Sequence, residues 1–387
     1  MLKQLRKVGK QVLFLETSEN SCRIGEGAFI RLKDGGIMFA FTEFLQGTGH
    51  DHDDARITAR ISYDEGESWG ENRVLFFKSE QAVNVMNVSL LRLQNGALAI
   101  FYTEKYMGDG DRILDRILMR ISRDEGITWG DPVRCFPVEG YHVLNNDRVI
   151  RLKSGRILVP VALHALAGTE TKVKTPMPGA IMFSVSDDDG KSWRVINRII
   201  HSPFHDRIQF QEPGVYQHGD GRIWMWCRTG YGCQYMAYSD NDAETWSDVE
   251  PGLFFSSPLS PMQVKKTGDY TVAIFNPIPE FSGRDCAHKG GKEPWGRTPL
   301  VCAVSRDDGK NHDGTSFKEM VYLEDDRTNG YCYPSIFSGK DYFLTAYYHT
   351  NDTGFCLNST KVLKVMHSEL EMQDAACDGG ENHEVKS

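Results

Sequence analysis

The chain has 387 residues, of which 40% are apolar and 25% charged, a composition typical of a globular protein with a large core. The formal net charge is −9 and basic residues are not clustered, which excludes nucleic acid as an expected partner because phosphate binding needs a concentrated positive surface. The nine cysteines are odd in number and include no Cys-x-x-Cys pair. We therefore expect reduced thiols, no metal site and no cofactor.

The two termini give little sign of targeting. Near the amino terminus the apolar run covers only residues 12–15, which is too short for a signal peptide. No stretch approaches the roughly 20 apolar residues of a membrane span. We expect a cytoplasmic protein without membrane contact, formed by one domain over residues 1–371, with a polar and disordered tail over residues 372–387.

A turn motif of the pattern Ser-x-Asp-x-Gly-x-Ser/Thr-Trp recurs along the chain. Its aspartate can accept hydrogen bonds from backbone N–H groups across the turn, its glycine permits a positive φ, and its tryptophan packs beneath the hairpin. Complete copies occupy residues 62–69, 122–129 and 186–193. A fourth copy at 239–246 has Ala243 in place of glycine, and a fifth at 305–309 lacks the tryptophan. Copies at such regular spacing indicate a repeat protein.

A short apolar segment follows a turn glycine six times. These segments begin at Gly36, Gly96, Gly155, Gly221, Gly268 and Gly339. Each is predicted to be one strand of a four-stranded antiparallel blade, and long amphipathic helical windows are scarce. The sequence therefore predicts an all-β fold, a six-bladed β-propeller, with a seven-bladed ring or a β-sandwich as the alternative.

The turn motif and the strands around it resemble the sialidase (neuraminidase) superfamily over about residues 20–365. In that family the motif lies away from the active site, which is at the mouth of the central channel. The active site holds an arginine triad for the substrate carboxylate, a tyrosine nucleophile with a glutamate partner, and an aspartate acid/base. The resemblance implies a sialidase-like exo-glycoside hydrolase that releases a terminal acidic sugar from a glycan.

Four residues match the family's catalytic segments. The resemblance gives Glu212, in Gln-Glu-Pro-Gly-Val, the role of base for the tyrosine. Arg228 and Arg297 match two triad arginines, whose planar guanidinium groups bind a carboxylate bidentately. The segment Gly-Tyr-Cys-Tyr-Pro-Ser-Ile holds the nucleophile, where Tyr333 gives the better register. Tyr331 remains the alternative because residues two apart share a strand face.

The amino-terminal part departs from the family pattern. The family usually has Arg-Ile-Pro where this chain has Arg23 followed by Ile and Gly, and Arg56 stands where the acid is expected. Asp54, two residues earlier and on the same predicted strand face, is the candidate acid. The third arginine of the triad is then Arg23, Arg56 or Arg148.

Many polar side chains precede a predicted buried strand in the segment 141–148, Tyr-His-Val-Leu-Asn-Asn-Asp-Arg. Buried polar groups need partners, which a pocket wall would supply. Asn146, Asp147 and Arg148 are therefore candidate substrate contacts. The alternative is a hydrogen-bonded brace between two blades.

Two other functions remain open on the sequence. A glycosidase or polysaccharide lyase directed at uronic acids would use the same propeller, with tyrosine and histidine near a bound carboxylate to take the C5 proton. A non-catalytic carbohydrate-binding propeller is the other alternative, because fold alone does not establish activity.

Overall fold

The computed structural model describes residues 5–109, 112–166, 179–203, 210–277, 297–312, 315–326, 329–350 and 358–371. Within these ranges the chain forms 25 β-strands and one 3-10 helix, His367–Leu370. Among the described helical residues, none belongs to a helix long and apolar enough to cross a membrane. The predicted all-β fold is confirmed, whereas the predicted tail, residues 372–387, lies outside the described residues.

The strands form antiparallel units that we number as blades 1 to 6. Four blades are separate four-stranded sheets. Blade 1 contains β2 (Arg23–Arg31), β3 (Ile37–Phe44), β4 (Ala55–Ser62) and β5 (Arg73–Phe77), and blade 4 contains β15 (Gln211–Gln217), β16 (Ile223–Arg228), β17 (Cys233–Ser239) and β18 (Glu250–Ser256). Blade 5 contains β19 (Gln263–Thr267), β20 (Tyr270–Phe275), β21 (Leu300–Ser305) and β22 (Glu319–Glu324). Blade 6 contains β23 (Tyr331–Ser338), β24 (Tyr342–His349), β25 (Ser359–Met366) and β1 (Lys10–Leu15).

Blades 2 and 3 are joined into one nine-stranded sheet. Blade 2 contains β6 (Ala82–Arg92), β7 (Leu98–Met107), β8 (Ile113–Ser122) and β9 (Val133–Arg134), and blade 3 contains β10 (Gly140–Val143), β11 (Ile150–Arg151), β12 (Ile157–Leu166), β13 (Ala180–Ser186) and β14 (Arg194–Val195). Among the described strands, the main-chain pairing that joins the two halves is the single pair Gly140 and Asp115. The sheet therefore divides at that pair into two blades.

The core lies between adjacent blades rather than within one of them. Six apolar clusters are each shared by two neighbours, in the order 1–2, 2–3, 3–4, 4–5, 5–6 and 6–1. Strand β1 pairs with β25, so the first strand of the chain completes the last blade. Because the sequence of shared clusters returns to its start, the blades form a closed ring.

The repeated turn has the predicted geometry. In the first copy the Ser68 amide donates to Asp64 Oδ1 at 2.9 Å, the Gly66 amide donates to Ser62 Oγ at 2.9 Å, and Trp69 Nε1 donates to the Gly66 carbonyl at 3.2 Å. Gly66 has φ +83°, as the motif requires. The amide bonds recur in the other complete copies and, with Asn241 in place of aspartate, in the fourth.

The fifth copy keeps this geometry with an insertion. Ser316 Oγ donates to Asp307 Oδ2 at 2.9 Å, the bond that a hydroxyl four residues after the aspartate makes elsewhere. Phe317 follows at once, is buried, and lies 3.0 Å from where a Cβ on Gly309 would be. The tryptophan is absent as the sequence indicates, but Phe317 fills its place after five extra residues.

In blade 1 the turn lies at the opposite end from the start of β2. The register pairs Ile37 with both Arg31 and Ser62, whereas Arg23 pairs with Phe44, next to the loop 45–54. Turn and loop thus mark the two ends of the blade.

The innermost strands are interrupted at corresponding positions. Four of them carry a bulge whose first residue has a positive φ: Glu26 at 54°, Asn87 at 65°, Glu212 at 48° and Tyr333 at 59°. In blade 3, Asp147 has φ 56° between β10 and β11. A bulge re-aims its side chain, and the four bulge residues line one cavity.

Candidate functional site

The cavity, which we call the pocket, has a volume of about 260 Å³ and lies where the bulges of blades 1, 2, 4 and 6 meet. Its wall includes Glu26, Asp51, Glu212, Arg228 and Tyr333. A larger cavity of about 490 Å³ lies at the outer strands β17 and β18. Polar side chains from several blades converge on the pocket, and the pKa values of several of them are shifted, so we take the pocket as the candidate site.

A tyrosine, a glutamate and an arginine meet at the pocket wall. Tyr333 Oη donates to Glu212 Oε1 at 2.7 Å, and Arg228 Nη1 donates to the same oxygen at 2.7 Å and to Tyr333 Oη at 3.1 Å. Burial raises the pKa of Tyr333 and the charge of Glu212 raises it further, while Arg228 opposes them. The phenol is therefore neutral at rest, with a carboxylate placed to accept its proton.

Arg297 joins this group from blade 5. Its guanidinium lies 5.4 Å from the centre of the Tyr333 ring, and its Nη2 donates to the Leu259 carbonyl at 3.3 Å. The side chain is buried. Of the four predicted residues, Glu212, Arg228 and Tyr333 therefore meet at the pocket wall, whereas Arg297 lies behind the Tyr333 ring and does not line the pocket.

Tyr331 lies elsewhere, although it is two residues from Tyr333. It is fully buried in the cluster between blades 5 and 6, where its ring contacts Tyr347 and His349 edge-on. The register shifts between Cys332 and the residue after Pro334, so the bulge breaks the strand alternation at Tyr333. Of the two candidate tyrosines, only Tyr333 therefore lines the pocket.

Arg23 is the third arginine near the pocket. Its Nη1 donates to Asp51 Oδ1 at 2.6 Å and to the Gly49 carbonyl at 3.2 Å, its Nε donates to Tyr348 Oη at 2.8 Å, and its Nη2 donates to Glu26. The guanidinium is buried, so each of these bonds replaces water.

The pKa values of the two carboxyl groups that pair with Arg23 shift in opposite directions. Enclosure by the pocket walls raises the pKa of Asp51, but the charges of Arg23 and Lys105 outweigh it and hold the pKa well below its usual range. The pKa of Glu26 is raised, because the effect of burial is larger than the opposing effect of the Arg23 charge. Burial, with the charge of Lys105, also lowers the pKa of His52 to about 4.

Two sequence predictions for the acid region need correction. Asp54 is half-exposed and 3.8 Å from Lys78 Nζ, outside the pocket, whereas Asp51 lines it. Arg56 is also outside, with its Nε donating to Glu43 at 2.9 Å. The prediction relied on strand alternation, but residues 45–54 form a loop that ends where β4 begins.

The predicted contacts Asn146, Asp147 and Arg148 form a brace. Lys265 Nζ donates to Asp147 Oδ1 at 2.8 Å, and Arg148 Nη1 donates to Gln263 Oε1 at 2.6 Å, so both reach blade 5. Asn146 Nδ2 donates to a main-chain oxygen of blade 1 at 3.0 Å. None of the three lines the pocket, and the alternative interpretation as a brace fits their contacts.

Sequence reasoning missed other pocket residues. His142 and Asn145 lie in the same segment as the brace but line the pocket, as does Lys105, whose Nζ donates to the Asp51 carbonyl at 2.8 Å. Burial lowers the pKa of Lys105. For His142 and Asn145 the sequence signal was the polar segment 141–148, which does not show which members face the pocket, and Lys105 lies outside that segment.

Several buried polar atoms of pocket residues have no hydrogen-bond partner within the described ranges. They include Glu26 Oε2, Thr103 Oγ1, His142 Nε2, Asn145 Nδ2 and Glu212 Oε2. An unpaired buried polar atom costs about 1–3 kcal/mol, so such a wall suits a ligand rich in hydrogen-bonding groups. No set of three or more His, Cys, Asp or Glu side chains in the described part of the chain is arranged to hold a metal ion.

Comparison with known structures finds the same fold. A Dyadobacter fermentans protein of unknown function is 18% identical, with a TM-score of 0.67 over 92% of this chain and 99% of that one. The NanB sialidase of Streptococcus pneumoniae is 12% identical, with a TM-score of 0.68 over 94% and 71% of the two chains. The intramolecular trans-sialidase of Ruminococcus gnavus is 13% identical, with a TM-score of 0.68 over 95% and 99%.

The sequence matches none of the curated proteins with which it was compared. Residues 36–349, however, match the family described as BNR repeat-like domain. This range runs from blade 1 to blade 6 and includes every copy of the turn motif. The chain therefore belongs to the BNR repeat-like domain family, on the propeller fold that sialidases share.

Proposed function

We propose that the protein is a sialidase-like exo-glycoside hydrolase acting on glycans that end in an acidic sugar. The observation that carries this proposal is the hydrogen bond of 2.7 Å between Tyr333 Oη and Glu212 Oε1 in a pocket that Arg228 also lines. A tyrosine nucleophile is the sialidase exception to the two-carboxylate scheme. A neutral tyrosine suits an acidic sugar, because a carboxylate nucleophile would repel the substrate's own carboxylate.

In the first step Tyr333 Oη bonds to the anomeric carbon while its proton passes to Glu212. The glycosidic bond breaks, and the leaving oxygen takes a proton from Asp51, a half-exposed carboxyl that lines the pocket. Water then attacks the same carbon, the bond to Tyr333 breaks, and Glu212 returns the proton to the phenol oxygen. Asp51 takes the proton of the water and is ready for the next cycle.

Substrate binding can prepare Asp51 for its role. The charge of Arg23 lowers the pKa of Asp51 and so favours its ionised form, which is the wrong state for an acid. A substrate carboxylate that takes over Arg23 would remove part of that stabilisation and raise the pKa of Asp51. Arg228 and Arg297 would complete the clamp, with charge-assisted bonds of about 1.5–3 kcal/mol each.

The test is a screen of chromogenic glycosides of sialic acids and hexuronic acids, with Glu212→Gln as the inactive variant. Glu43→Gln is the matched control, because Glu43 is also a buried glutamate paired with an arginine but lies outside the pocket. We expect turnover by the wild type and by Glu43→Gln, and a loss of about a hundredfold or more in Glu212→Gln.

Other outcomes would identify the alternatives. An unsaturated product that absorbs in the ultraviolet would show elimination rather than hydrolysis. Binding of these sugars without turnover would indicate a carbohydrate-binding propeller.

A further inference from the structure

The contacts of His142, at the pocket wall, fix which of its two ring nitrogens carries the hydrogen. Its main-chain amide donates to Asp115 Oδ2 at 2.8 Å, and its Nδ1 lies 2.8 Å from Asp115 Oδ1. A carboxylate only accepts, so in the neutral form of the ring Nδ1 carries the hydrogen and Nε2 keeps its lone pair. His142 is 2% exposed, and Nε2 has no partner within the described ranges.

Asn145 presents a complementary atom from the same segment. Its Oδ1 accepts a hydrogen bond from the Asn146 amide at 2.7 Å, which fixes the orientation of the side-chain amide. Nδ2 is therefore the atom left over, and it is a donor. It is buried and unpaired within the described ranges, on a side chain that is 1% exposed and lines the pocket.

We propose that His142 and Asn145 form a hydroxyl-binding subsite of the pocket, in which a sugar O–H group donates to Nε2 and a sugar hydroxyl oxygen accepts from Nδ2. The inference rests on the proposed function in taking an acidic sugar as the ligand. Asp115 is a positioning residue, because it sets the tautomer of His142 without lining the pocket.

The combination of one acceptor with one donor excludes a charged group as the ligand. A hydroxyl both donates and accepts, so one hydroxyl or two neighbouring ones satisfy both atoms. A carboxylate has no hydrogen to give to Nε2, and an ammonium group has no lone pair for Nδ2. The subsite therefore binds the neutral, hydroxyl-bearing part of the sugar, whereas Arg23, Arg228 and Arg297 handle its charge.

Two measurements test the subsite. The first is ¹⁵N NMR of the imidazole of His142 in the ligand-free protein at pH 8, where we expect a hydrogen on Nδ1 and none on Nε2. The second is the affinity for N-acetylneuraminic acid and for glucuronic acid, measured by calorimetry on the wild type, His142→Gln and Asn145→Asp. Asn145→Asp keeps the oxygen that accepts from the next amide and replaces the donor with an acceptor.

We expect each of these variants to bind the better of the two sugars about tenfold more weakly. His218→Gln is the matched control, because His218 is equally buried and beside Asp308 but outside the pocket. It should bind as the wild type does. If His142→Gln fails to fold, as a thermal scan would show, Asn145→Asp and the NMR measurement still decide.

A hydrogen on Nε2 in the ligand-free protein would overturn the subsite, as would unchanged affinity in Asn145→Asp. Absence of binding of both sugars to the wild type would contradict the proposed function and the ligand named here. The tautomer, which is measured without ligand, decides separately whether the wall has the acceptor we describe.

Discussion

The turns at one end of the blades and the pocket at the other differ in how far their polar atoms are hydrogen-bonded. In the turns, Asp64 and its counterparts accept several short local hydrogen bonds, and the same set recurs from blade to blade. At the pocket, Glu26, Glu212, His142 and Asn145 each keep a buried atom unpaired within the described ranges. The aspartate bonds of the turns therefore repeat from blade to blade as a feature of the fold, whereas the departures from repetition mark the candidate site.

The comparison is tested most strongly by removing one oxygen from the pocket. Tyr333→Phe loses the proposed nucleophile, so we expect kcat/KM on an acidic glycoside to fall about thousandfold or more. The melting temperature should change little, because the ring remains. Tyr331→Phe is the matched control from the packed core and should keep its activity. Equal losses in the two variants would contradict the assignment of Tyr333.

A smaller effect on turnover is expected when one arginine beside the pocket is replaced by lysine. Arg297→Lys keeps the charge but loses the planar fork, so turnover of an acidic glycoside should fall about tenfold. The measurement compares kcat/KM for the acid with that for its neutral methyl ester. The wild type should prefer the acid, and the variant should lose most of that preference. If the preference is unchanged, Arg297 has only a packing role.

A change at the turn end should affect stability and leave activity unaltered. Asp64→Ala removes the acceptor for the amide and hydroxyl of Ser68. Because the turn is exposed, we expect a loss of about 1 kcal/mol in the free energy of unfolding, similar to a lost helix cap. Urea unfolding checks the loss of stability, and kcat/KM measured on the same preparation checks that activity is unchanged. A loss of activity in the folded variant would mean that the two ends are coupled.

The smallest effect concerns pH. Hydrogen bonds from Ser68 and Ser62 lower the pKa of Asp64 to about 2. The unfolded value is about 3.9, so its stabilising contribution is complete above that pH and is lost as the pH falls toward 2. The urea midpoint of the wild type should therefore decrease more over this window than that of Asp64→Asn. Parallel curves would show that Asp64 keeps its ordinary pKa in the folded protein.

The sequence was sufficient for the fold because the turn motif is local. Its bonds join residues at most a few positions apart, as between Ser62 and Gly66, so spacing alone identifies them. The fifth copy of the turn was recognised only in part, because Phe317 follows five extra residues and spacing alone does not identify it.

The site was predictable only where a motif fixed the residue. Glu212 and Tyr333 come together as the resemblance implied, although 121 positions separate them. The prediction of Asp54 assumed strand alternation in a segment that is a loop, and the structure places Asp51 at the pocket instead. His142 was missed because its partner Asp115 lies on another blade, and no local pattern reports that contact.

The positive φ angles of the innermost strands have a thermodynamic consequence. A side chain larger than glycine in this conformation costs about 1–2 kcal/mol, less for asparagine. Glu26, Glu212 and Tyr333 each bear that cost at φ between 48° and 59°. Glycine at any of them would relax the backbone and delete a pocket side chain. Because these side chains also pair with Arg23 or Arg228 or fill the core, their loss would cost about 3–5 kcal/mol, more than the strain relieved, so a thermostable form that keeps its activity must gain its stability at the turns or between the blades.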